Sequence, residues 1–406
     1  MTAEWTPMRW PAAWKSLSSF DLVRGTAVNC LILDKGGDLA TVAARAAEAG
    51  FEVIDPGSQP PGIKTVKGLW PGIRLSRSGS NDATAGPTGE PWVDSNGWRV
   101  RLAQALNPGV NIWVDAMPQN ARLSPEAYVI AIADSAAPGG RWIISLDDKL
   151  AAGLLDHEPQ AVETWRRLNA AARFFGSRKG WADYVPEAVL GVVSDFATPQ
   201  SEEVLNLVAR SNQQFRIILK TALGNSAFEG LRALIYPDVE PPSPATRERI
   251  LVFVRQGGLL IAGPKWGDAP GSTAASADHP RYALRTLGKG TLAIAKENLN
   301  DPYLLANDAV MLMSHRYELL RLWNSGAVST YYSAAPSQDR GLVQIIFFAR
   351  SGASSAAVRI VGPFRKAHLL TIDRNDPSAV PFELQKGAIE VHLPAVSQYA
   401  AIELAI

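Results

Sequence analysis

Between residues 188 and 263 the chain alternates short apolar runs with helical patterns, and this alternation constrains the fold more than any other feature. The runs are rich in β-branched residues, and they span residues 189–193, 215–219, 233–236 and 259–262. Strands buried on both faces read as continuous apolar runs, and intervening helices give a parallel sheet. The sequence therefore predicts a flavodoxin-like (amidotransferase-like) α/β layer domain over residues 188–287.

The usual chemistry of such sheets leaves a sequence signature, and this stretch lacks it. An amidotransferase-type nucleophile needs a cysteine at a strand-to-helix turn, but Cys30 lies upstream in the apolar run NCLIL, as a small buried hydrophobe would. The glycine motifs that bind dinucleotides or phosphates do not follow Val193. We therefore expect this sheet to carry no chemistry, with Asp195 and Asp238 acting as helix caps or interface residues.

Length and charge narrow the function classes further. A chain of 406 residues exceeds what a single core usually holds, so two or three domains are expected. The net charge of +1 and the lack of a basic block give no reason to expect nucleic acid as a partner. The five histidines are scattered without metal-ligand spacing, so neither a metal nor another cofactor is expected.

Two further features concern the membrane and the cellular compartment. No apolar run approaches the length of a membrane span, so no membrane partner is expected. The first residues, MTAEWTPMRWPAAW, lack the charged and apolar regions of a signal peptide. A trimmed signal would leave the same appearance, so the localisation stays open.

Residues 1–187 repeat strand and helix patterns, after an aromatic arm expected over residues 1–24. Each predicted strand is apolar and most end in an acidic residue, which is typical of a β/α barrel. The region contains six clear strands in about 160 residues, whereas a complete barrel has eight strands and roughly 200 residues or more. We therefore predict a short or incomplete TIM-like barrel over residues 1–187.

Residues 288–406 have a different pattern of apolar runs and turn-forming residues. Short apolar runs such as GTLAIAKE, GLVQIIFFAR and AIEVHLP are separated by Gly, Pro, Ser, Asn and Asp, and one helix is predicted over residues 302–323. Many short strands at close spacing are typical of an antiparallel sandwich. The fold class is therefore multi-domain α/β, with a C-terminal antiparallel β-sandwich over residues 288–406.

The order of these three domains resembles the β-galactosidases that carry a trimerisation domain between barrel and sandwich. The resemblance is most specific in the middle, where LRALIYPDVEPPSPATRERILVFVRQGGLLIAG gives a strand, a proline-acid turn, a helix and Gly-Gly before the last strand. GLVQIIFFAR and VHLPAVSQYAAIEL fit its sandwich. The resemblance covers the last 220 or so residues well and the barrel half in outline, and it implies a carbohydrate substrate and a homo-oligomer formed through the middle domain.

The same resemblance implies catalytic residues that this chain does not have. Retaining enzymes of that clan use an Asn-Glu pair at the fourth strand and a second Glu at the seventh. The sequence contains no Asn-Glu dipeptide, and PWVDSN and WVDAMP offer Asp instead. No catalytic residue is therefore carried over from the family.

Considered without the family, the strand-end acids are the candidates for glycosidic hydrolysis, which needs two carboxyl groups flanking the bond. The catalytic candidates are Asp94, Asp115, Asp147 and Asp148, and the substrate-binding candidates behind them are Asp34 and Asp55. Adjacent acids at a strand end point to opposite faces, so only one of Asp147 and Asp148 can face the mouth. The alternative for each acid is a helix N-cap.

Tryptophan is the one compositional bias, with twelve in the chain. Indole rings can stack on the apolar face of a sugar, so Trp70, Trp92 and Trp98 are predicted to form a stacking platform, and Asn96 to bind a sugar hydroxyl. Core packing is the alternative for each ring.

Two functions remain open from the sequence. The first is a glycoside hydrolase that acts on an oligosaccharide or polysaccharide through the strand-end aspartates. The second is a non-catalytic carbohydrate-binding or scaffolding protein derived from a glycosidase barrel. The clustered aspartates favour the first function, whereas the short barrel and the missing Asn-Glu pair favour the second.

Overall fold

A computed structural model gives the structure of the chain and describes residues 5–33, 39–55, 57–77, 83–87, 89, 93–118, 121–224, 226–298 and 301–406. The protein is a mixed α/β protein whose sheets fall into three regions that follow one another along the chain.

The N-terminal region alternates strands and helices. Its strands are β1 (Pro7–Arg9), β2 (Cys30–Ile32), β3 (Glu52–Ile54), β4 (Ile63–Lys67), β5 (Ile73–Arg77), β6 (Ala83–Pro87), β7 (Asn111–Asp115), β8 (Arg122–Leu123), β9 (Arg141–Trp142) and β10 (Val185–Pro186). Its helices are α1 (Phe20–Val23), α2 (Leu39–Glu48), α3 (Gly97–Leu106), α4 (Pro125–Ala136), α5 (Asp148–Leu155) and α6 (Pro159–Gly176).

Six of these strands form one parallel array. The ladders β1-β2-β3 and β4-β7-β9 are each parallel, and a parallel bridge between Met8 and Ile144 joins them. The array therefore runs in the order β3-β2-β1-β9-β7-β4. In the described part of the chain no ladder joins the outer strands β3 and β4, so the backbone pairings leave the array open there.

Strand β1 corrects a prediction made for the N-terminus. Residues 1–24 are predicted as an arm, yet Pro7–Arg9 pairs with β2 on one side, and Arg9 N donates to Ile144 O at 2.9 Å on the other. Met8 is fully buried in the core beneath the helices. A three-residue strand between tryptophans and prolines is too short to show an alternating pattern, which explains the error.

Alternating side chains divide each strand of the array between two cores. On β7, Ile112 and Val114 belong to the core shared with the helices, whereas Trp113 belongs to a separate inner cluster. That cluster gathers inward side chains from four strands of the array and from the residue that follows β9, and its members are Cys30, Ile32, Ile54, Ile63, Trp113 and Ile143. It contains residues of both outer strands, Ile54 and Ile63, so the array curls and brings them together.

The middle region is a sheet with helices on both faces. Its elements are β11 (Leu190–Ser194), α7 (Pro199–Arg210), β12 (Phe215–Leu219), β13 (Ala233–Tyr236), α8 (Pro244–Arg255), β14 (Leu259–Ala262), β15 (Thr273–Ala274), β16 (Tyr282–Leu287), β17 (Gly290–Ala295) and α9 (Pro302–Met313). The order is β12-β11-β13-β14-β17-β16-β15, and the first five strands are parallel. Helices α7 and α9 share one core with the sheet, and α8 shares another.

The predicted boundary at residue 288 lies inside this sheet. Residues of GTLAIAKE form β17, which pairs in parallel with β14, and the following helix α9 packs with α7. The helix predicted over residues 302–323 ends at Met313, and residues 320–323 are a strand instead. The alternating apolar pattern of β17 fits a parallel inner strand as well as a sandwich strand, so the pattern alone could not place it. The three-domain division itself stays a prediction.

The C-terminal region consists of two antiparallel sheets. Its strands are β18 (Leu320–Trp323), β19 (Val328–Ala334), β20 (Arg340–Phe347), β21 (Ala357–Val361), β22 (Lys366–Thr371), β23 (Arg374–Ala379), β24 (Phe382–Gln385), β25 (Ala388–His392) and β26 (Tyr399–Ala405). The orders are β10-β19-β20-β26-β22-β23 and β18-β21-β25-β24, and the two sheets share one apolar core. On β20, Val343 faces that core while Leu342 and Ile346 face the N-terminal region.

The helices can also be compared with the length and hydropathy of a membrane span. Among the described residues, none of them is both long and apolar enough to cross a bilayer.

Candidate functional site

The carboxyl ends of the parallel strands carry charged side chains that meet at one edge of the array. Arg9 at the end of β1 and Asp115 at the end of β7 form an ion pair, with Arg9 Nη2 2.8 Å from Asp115 Oδ2. Lys67, the last residue of β4, pairs in register with Asp115 and therefore lies beside it on the same face. This edge, defined by Arg9, Lys67 and Asp115, is called the mouth below.

The fold directs Asp115 toward the inside of the array. Trp113, two residues earlier on β7, belongs to the inner cluster, and side chains two apart on a strand share a face. The side chain of Asp115 retains 31% of its exposure, against 13% for Arg9. A largely buried guanidinium thus orients the carboxylate through Oδ2, while Oδ1 is buried and accepts no hydrogen bond within the described residues.

Asp147 has a different environment. It caps α5, with Oδ1 accepting from Leu150 N at 2.9 Å, while Oδ2 accepts from Leu123 N at 3.1 Å and from the Tyr128 hydroxyl at 2.9 Å. Burial and the adjacent Asp147 carboxylate raise the pKa of Tyr128 well above its usual value, so the hydroxyl stays a donor. Both oxygens of Asp147 are therefore used inside the fold, as the capping alternative predicts.

The other predicted catalytic acids lie apart from this pair. Asp148 is exposed in the first turn of α5. Asp94 forms an ion pair with Arg210 and accepts from Asn206 Nδ2 at 3.2 Å, so it bridges to α7 of the middle region. The structure thus brings neither Asp94 nor Asp148 into a bond with Asp115.

The predicted substrate-binding acids differ in what can be said of them. Asp55 is exposed directly after β3, where its main-chain oxygen accepts from Ser58 N at 3.1 Å. Asp34, like Trp92 of the predicted platform, lies outside the described residues.

The predicted stacking platform differs from what is observed. Trp70 is only 7% exposed, packs edge-on against Tyr128 and Trp142 with ring centroids 5.2 and 4.9 Å away, and donates to Met117 O at 3.0 Å. Trp98 is 3% exposed and belongs to the core shared with the middle region. Both rings are buried in apolar cores, and the Arg99 guanidinium also lies over the Trp98 ring, with its carbon 4.3 Å from the centroid.

Asn96 stabilises the backbone rather than an open surface. It is fully buried, and its side chain accepts from Leu69 N and donates to Leu69 O, both at 2.9 Å. Its main-chain N–H donates to Asp134 Oδ2 at 2.6 Å. Burial raises the pKa of Asp134 to about 7, opposed by these bonds to Asn96. Asn96 thereby fixes the segment that follows β4. Its side chain is buried and bonded to Leu69, so it is not exposed to bind a sugar hydroxyl as predicted.

The strand-end acids of the middle sheet are counter-ions rather than caps. Lys220 Nζ lies 2.8 Å from Asp195 Oδ2 and 2.9 Å from Asp238 Oδ2, and the Ser194 hydroxyl donates to Asp238 Oδ1 at 2.5 Å. Burial lowers the pKa of Lys220, but its bonds to the two carboxylates raise it overall. The N-cap of α7 is Thr198, so Asp195 does not cap that helix.

Sequence reasoning missed the basic partners at the mouth. Arg9 lies in the segment predicted as an arm, and Lys67 lies in a run whose polar residues gave no functional signal. The sequence indicates them only indirectly: each follows an apolar residue, Met8 or Val66, that packs in or against the core beneath the helices, so each points to the opposite face of its strand. In the described part of the chain, no group of three or more His, Cys, Asp or Glu side chains is arranged to hold a metal ion.

Comparison with known proteins gives similarity at the level of structure. No family model matches the sequence, and no curated protein matches it. The α-L-fucosidase isoenzyme 2 from Paenibacillus thiaminolyticus superposes with a TM-score of 0.55 at 12% identity, covering 95% of this chain and 78% of the fucosidase.

A second similar structure is the β-galactosidase from Bacillus circulans sp. alkalophilus. It has a TM-score of 0.52 at 12% identity, covering 76% of this chain and 58% of the galactosidase. The chain thus spans about three-fifths of that enzyme and about four-fifths of the fucosidase. These are glycoside hydrolases, and the chain shares their overall fold.

Proposed function

We propose that this protein is a glycoside hydrolase that acts on an oligosaccharide or polysaccharide at the mouth, with Asp115 as its ionised carboxylate. The observation that carries the proposal is the ion pair between Asp115 and Arg9, which holds the carboxylate of an inward-facing, partly exposed side chain at the carboxyl edge of a parallel array. That edge is where enzymes built on parallel β/α folds bind their substrates. The similar fold of a fucosidase and a β-galactosidase supports the same substrate class.

The architecture that we propose for the N-terminal region is an incomplete relative of the β/α barrel. Its support is the inner cluster, in which Ile54 of β3 and Ile63 of β4 share one apolar core although no ladder joins their strands in the described residues. Side chains fill the interior of small barrels in the same way. The middle layer and the two C-terminal sheets then correspond to the flavodoxin-like and sandwich domains predicted from the sequence.

The roles at the mouth follow from charge. Arg9 neutralises and orients Asp115, so the carboxylate would act as nucleophile or base, and Lys67 beside it would bind a substrate hydroxyl. Hydrolysis also needs a protonated carboxyl group as general acid. Asp55 is a candidate for it, because it directly follows β3 at this edge, and Asp34 is a candidate from the sequence alone. Asp94 and Asp147 are engaged elsewhere, and we leave them outside the reacting set.

The test is a turnover screen of aryl glycosides and polysaccharides with the wild-type protein, Asp115→Asn and a matched control, Asp148→Asn. Both substitutions remove one carboxylate, but Asp148 is exposed on α5 and has no contact with Arg9 or Asp115 in the described structure. We expect Asp115→Asn to abolish turnover and Asp148→Asn to retain it. Equal activity of Asp115→Asn and wild type would refute the role of Asp115.

A second candidate function is carbohydrate binding without catalysis. One observation favours it. Both carboxylate oxygens of Asp147 accept hydrogen bonds that stabilise the fold, so Asp147 does not pair with Asp115 as a second catalytic carboxyl group. Binding of a polysaccharide with no turnover of any substrate, unchanged in Asp115→Asn, would select this function over hydrolysis.

Assembly through the middle region remains a proposal drawn from the sequence resemblance. If α7 to α9 and their sheet mediate it, light scattering after size exclusion should give more than one chain per particle. A monomer at all concentrations would reject the homo-oligomer without affecting the proposal for the mouth.

A further inference from the structure

A cavity of about 580 Å³ lies where the three regions meet, at the amino ends of β7 and β9 and therefore at the end of the array opposite the mouth. Asn111 and Arg141, the first residues of those strands, line it. Volumes of this size are typical of sites for small organic ligands. We call it the junction cavity.

The walls of the junction cavity combine aromatic rings with positive charge. Trp113, Phe175 and Phe215 are among its apolar lining, and Arg101, Arg141, Arg178, Lys179 and Arg216 are its cationic residues. Among the described residues that line the cavity there is no aspartate or glutamate. A ligand in this space would therefore meet flat apolar surfaces and an excess of positive charge.

Two of these cations are half-buried and have no carboxylate partner among the described residues. Arg101 donates to Phe215 O and lies over the Phe215 ring, with the guanidinium carbon 4.3 Å from the centroid. Arg141 donates to Gly140 O at 2.8 Å. Within the described residues neither forms an ion pair with an acidic side chain, so backbone carbonyls and a ring face are what they contact.

Burial of these guanidinium groups has a physical cost. Burial lowers the pKa of Arg101 to about 10, partly offset by Tyr331, and burial alone lowers the pKa of Arg141. Asp134 acts on Tyr331, and burial raises its own pKa to about 7, so it carries only part of a negative charge at neutral pH. Arg178 is a weaker candidate for binding an anion, because the negative charges of Glu403 and Asp376 already act on its guanidinium group.

We propose that the junction cavity binds a small organic anion, whose carboxylate, sulfate or phosphate group pairs with Arg101 and Arg141 and whose flat apolar body packs against the aromatic walls. A buried cation is strongly favoured by a charged hydrogen-bonding partner, and guanidinium groups match oxyanions in geometry. This site is distinct from the mouth and does not depend on the proposed hydrolysis.

The test measures binding of phenyl phosphate and benzoate to the intact protein by calorimetry, with benzyl alcohol as the neutral match. Fluorescence of Trp113 and Trp181, which both line the cavity, gives a second signal. We expect saturable binding of at least one anion, little binding of benzyl alcohol, and weaker binding as sodium chloride is raised. Arg101→Gln and Arg141→Gln should each weaken the anion at least about tenfold.

The control is Arg249→Gln, which removes an exposed arginine on α8 that does not line the cavity. It should bind the anions as wild type does. If Arg101→Gln does not fold, Arg141→Gln and the charge-retaining Arg141→Lys decide, with the lysine variant expected to bind better than the glutamine variant. No saturable binding of either anion by the wild type, equal affinity for benzyl alcohol, or affinities unchanged in the arginine variants would overturn the proposal.

Discussion

The two ends of the N-terminal array differ in how their charges are balanced. At the carboxyl end, Arg9 lies 2.8 Å from Asp115, so a cation and an anion neutralise each other within the fold. At the amino end, Arg101 and Arg141 line a cavity in which the described residues supply no acid. One array thus presents an oriented carboxylate at one end and unneutralised guanidinium groups at the other.

This difference shows that residue type alone does not indicate a ligand. An ion pair stabilises its members and fixes their geometry, which suits a carboxylate that must act on a substrate. A buried guanidinium without a carboxylate remains incompletely compensated, which suits the binding of an anion from solution. This contrast supports the proposals that the mouth carries chemistry and that the junction cavity binds an anion.

The largest expected effect separates the two ends functionally. Asp115→Asn should lower kcat/KM on any substrate that the screen identifies by about a thousandfold, as expected when a reacting carboxylate is removed. The dissociation constant for phenyl phosphate should not change, because the junction cavity lies at the opposite end. Steady-state kinetics and calorimetry on the same sample check both, and loss of anion binding would show that the ends are coupled.

The next effect tests whether Asp147 is a structural residue of the carboxyl end. Asp147→Ala removes the cap of α5 and two further hydrogen bonds, and should lower the free energy of unfolding by about 3 kcal/mol. Asp147→Asn keeps a capping oxygen and should cost clearly less. Urea denaturation measures both variants, and equal stability of Asp147→Ala and wild type would contradict the capping role.

A third prediction compares the two kinds of arginine directly. Arg9→Met leaves Asp115 without the partner seen here, and because the pair is partly exposed we expect a loss of about 2 kcal/mol in the free energy of unfolding. Arg101→Met removes a buried charge that lacks a carboxylate partner, so no loss, or a gain, is expected in the absence of an anion. Denaturation without added phosphate or sulfate provides the measurement, and a larger loss for Arg101→Met would reverse the comparison.

A fourth prediction concerns the pH dependence of stability near the junction cavity. Burial raises the pKa of Asp134 to about 7, from an ordinary value of 3.8, so between these values the folded state keeps a proton that the unfolded state has lost. This contribution is fully present below about pH 4 and is lost as the pH rises toward 7, with a slope on the order of 1 kcal/mol per pH unit.

Asp134→Asn should remove that contribution. The difference in unfolding free energy between the variant and wild type should therefore shift in favour of the variant as the pH rises from 4 to 7. Denaturation midpoints at several pH values check it, and a constant difference would contradict the raised pKa of this carboxyl group.

Much of the middle region could be predicted from the sequence, because its signals are local. The runs predicted at residues 189–193 and 233–236 are observed as the strands Leu190–Ser194 and Ala233–Tyr236, and helices lie between the parallel strands as expected. The predicted boundary at residue 288 falls inside the middle sheet, because an apolar strand reads alike in a parallel sheet and in a sandwich. Strand β1 was missed because three residues carry no period.

The candidate site was predictable only in its acids. Asp115 was identified by its position after an apolar run, but nothing in the run distinguished it from Asp147, which caps a helix. Its partner Arg9 is separated from it by 106 residues. At the other end, Arg101 meets the carbonyl of Phe215 from 114 residues away. Such pairings depend on the register and curl of strands, which no local pattern encodes.

The sequence by itself determined the alternation of strands and helices, the amphipathic stripes and the caps, because hydrophobic period and backbone preference act over a few neighbouring residues. The tertiary structure decided which charges neutralise one another, which rings are buried, and where a cavity remains between the three regions. Those outcomes depend on distances between segments far apart in the chain, and the free energy of a charge is set by what surrounds it rather than by what precedes it.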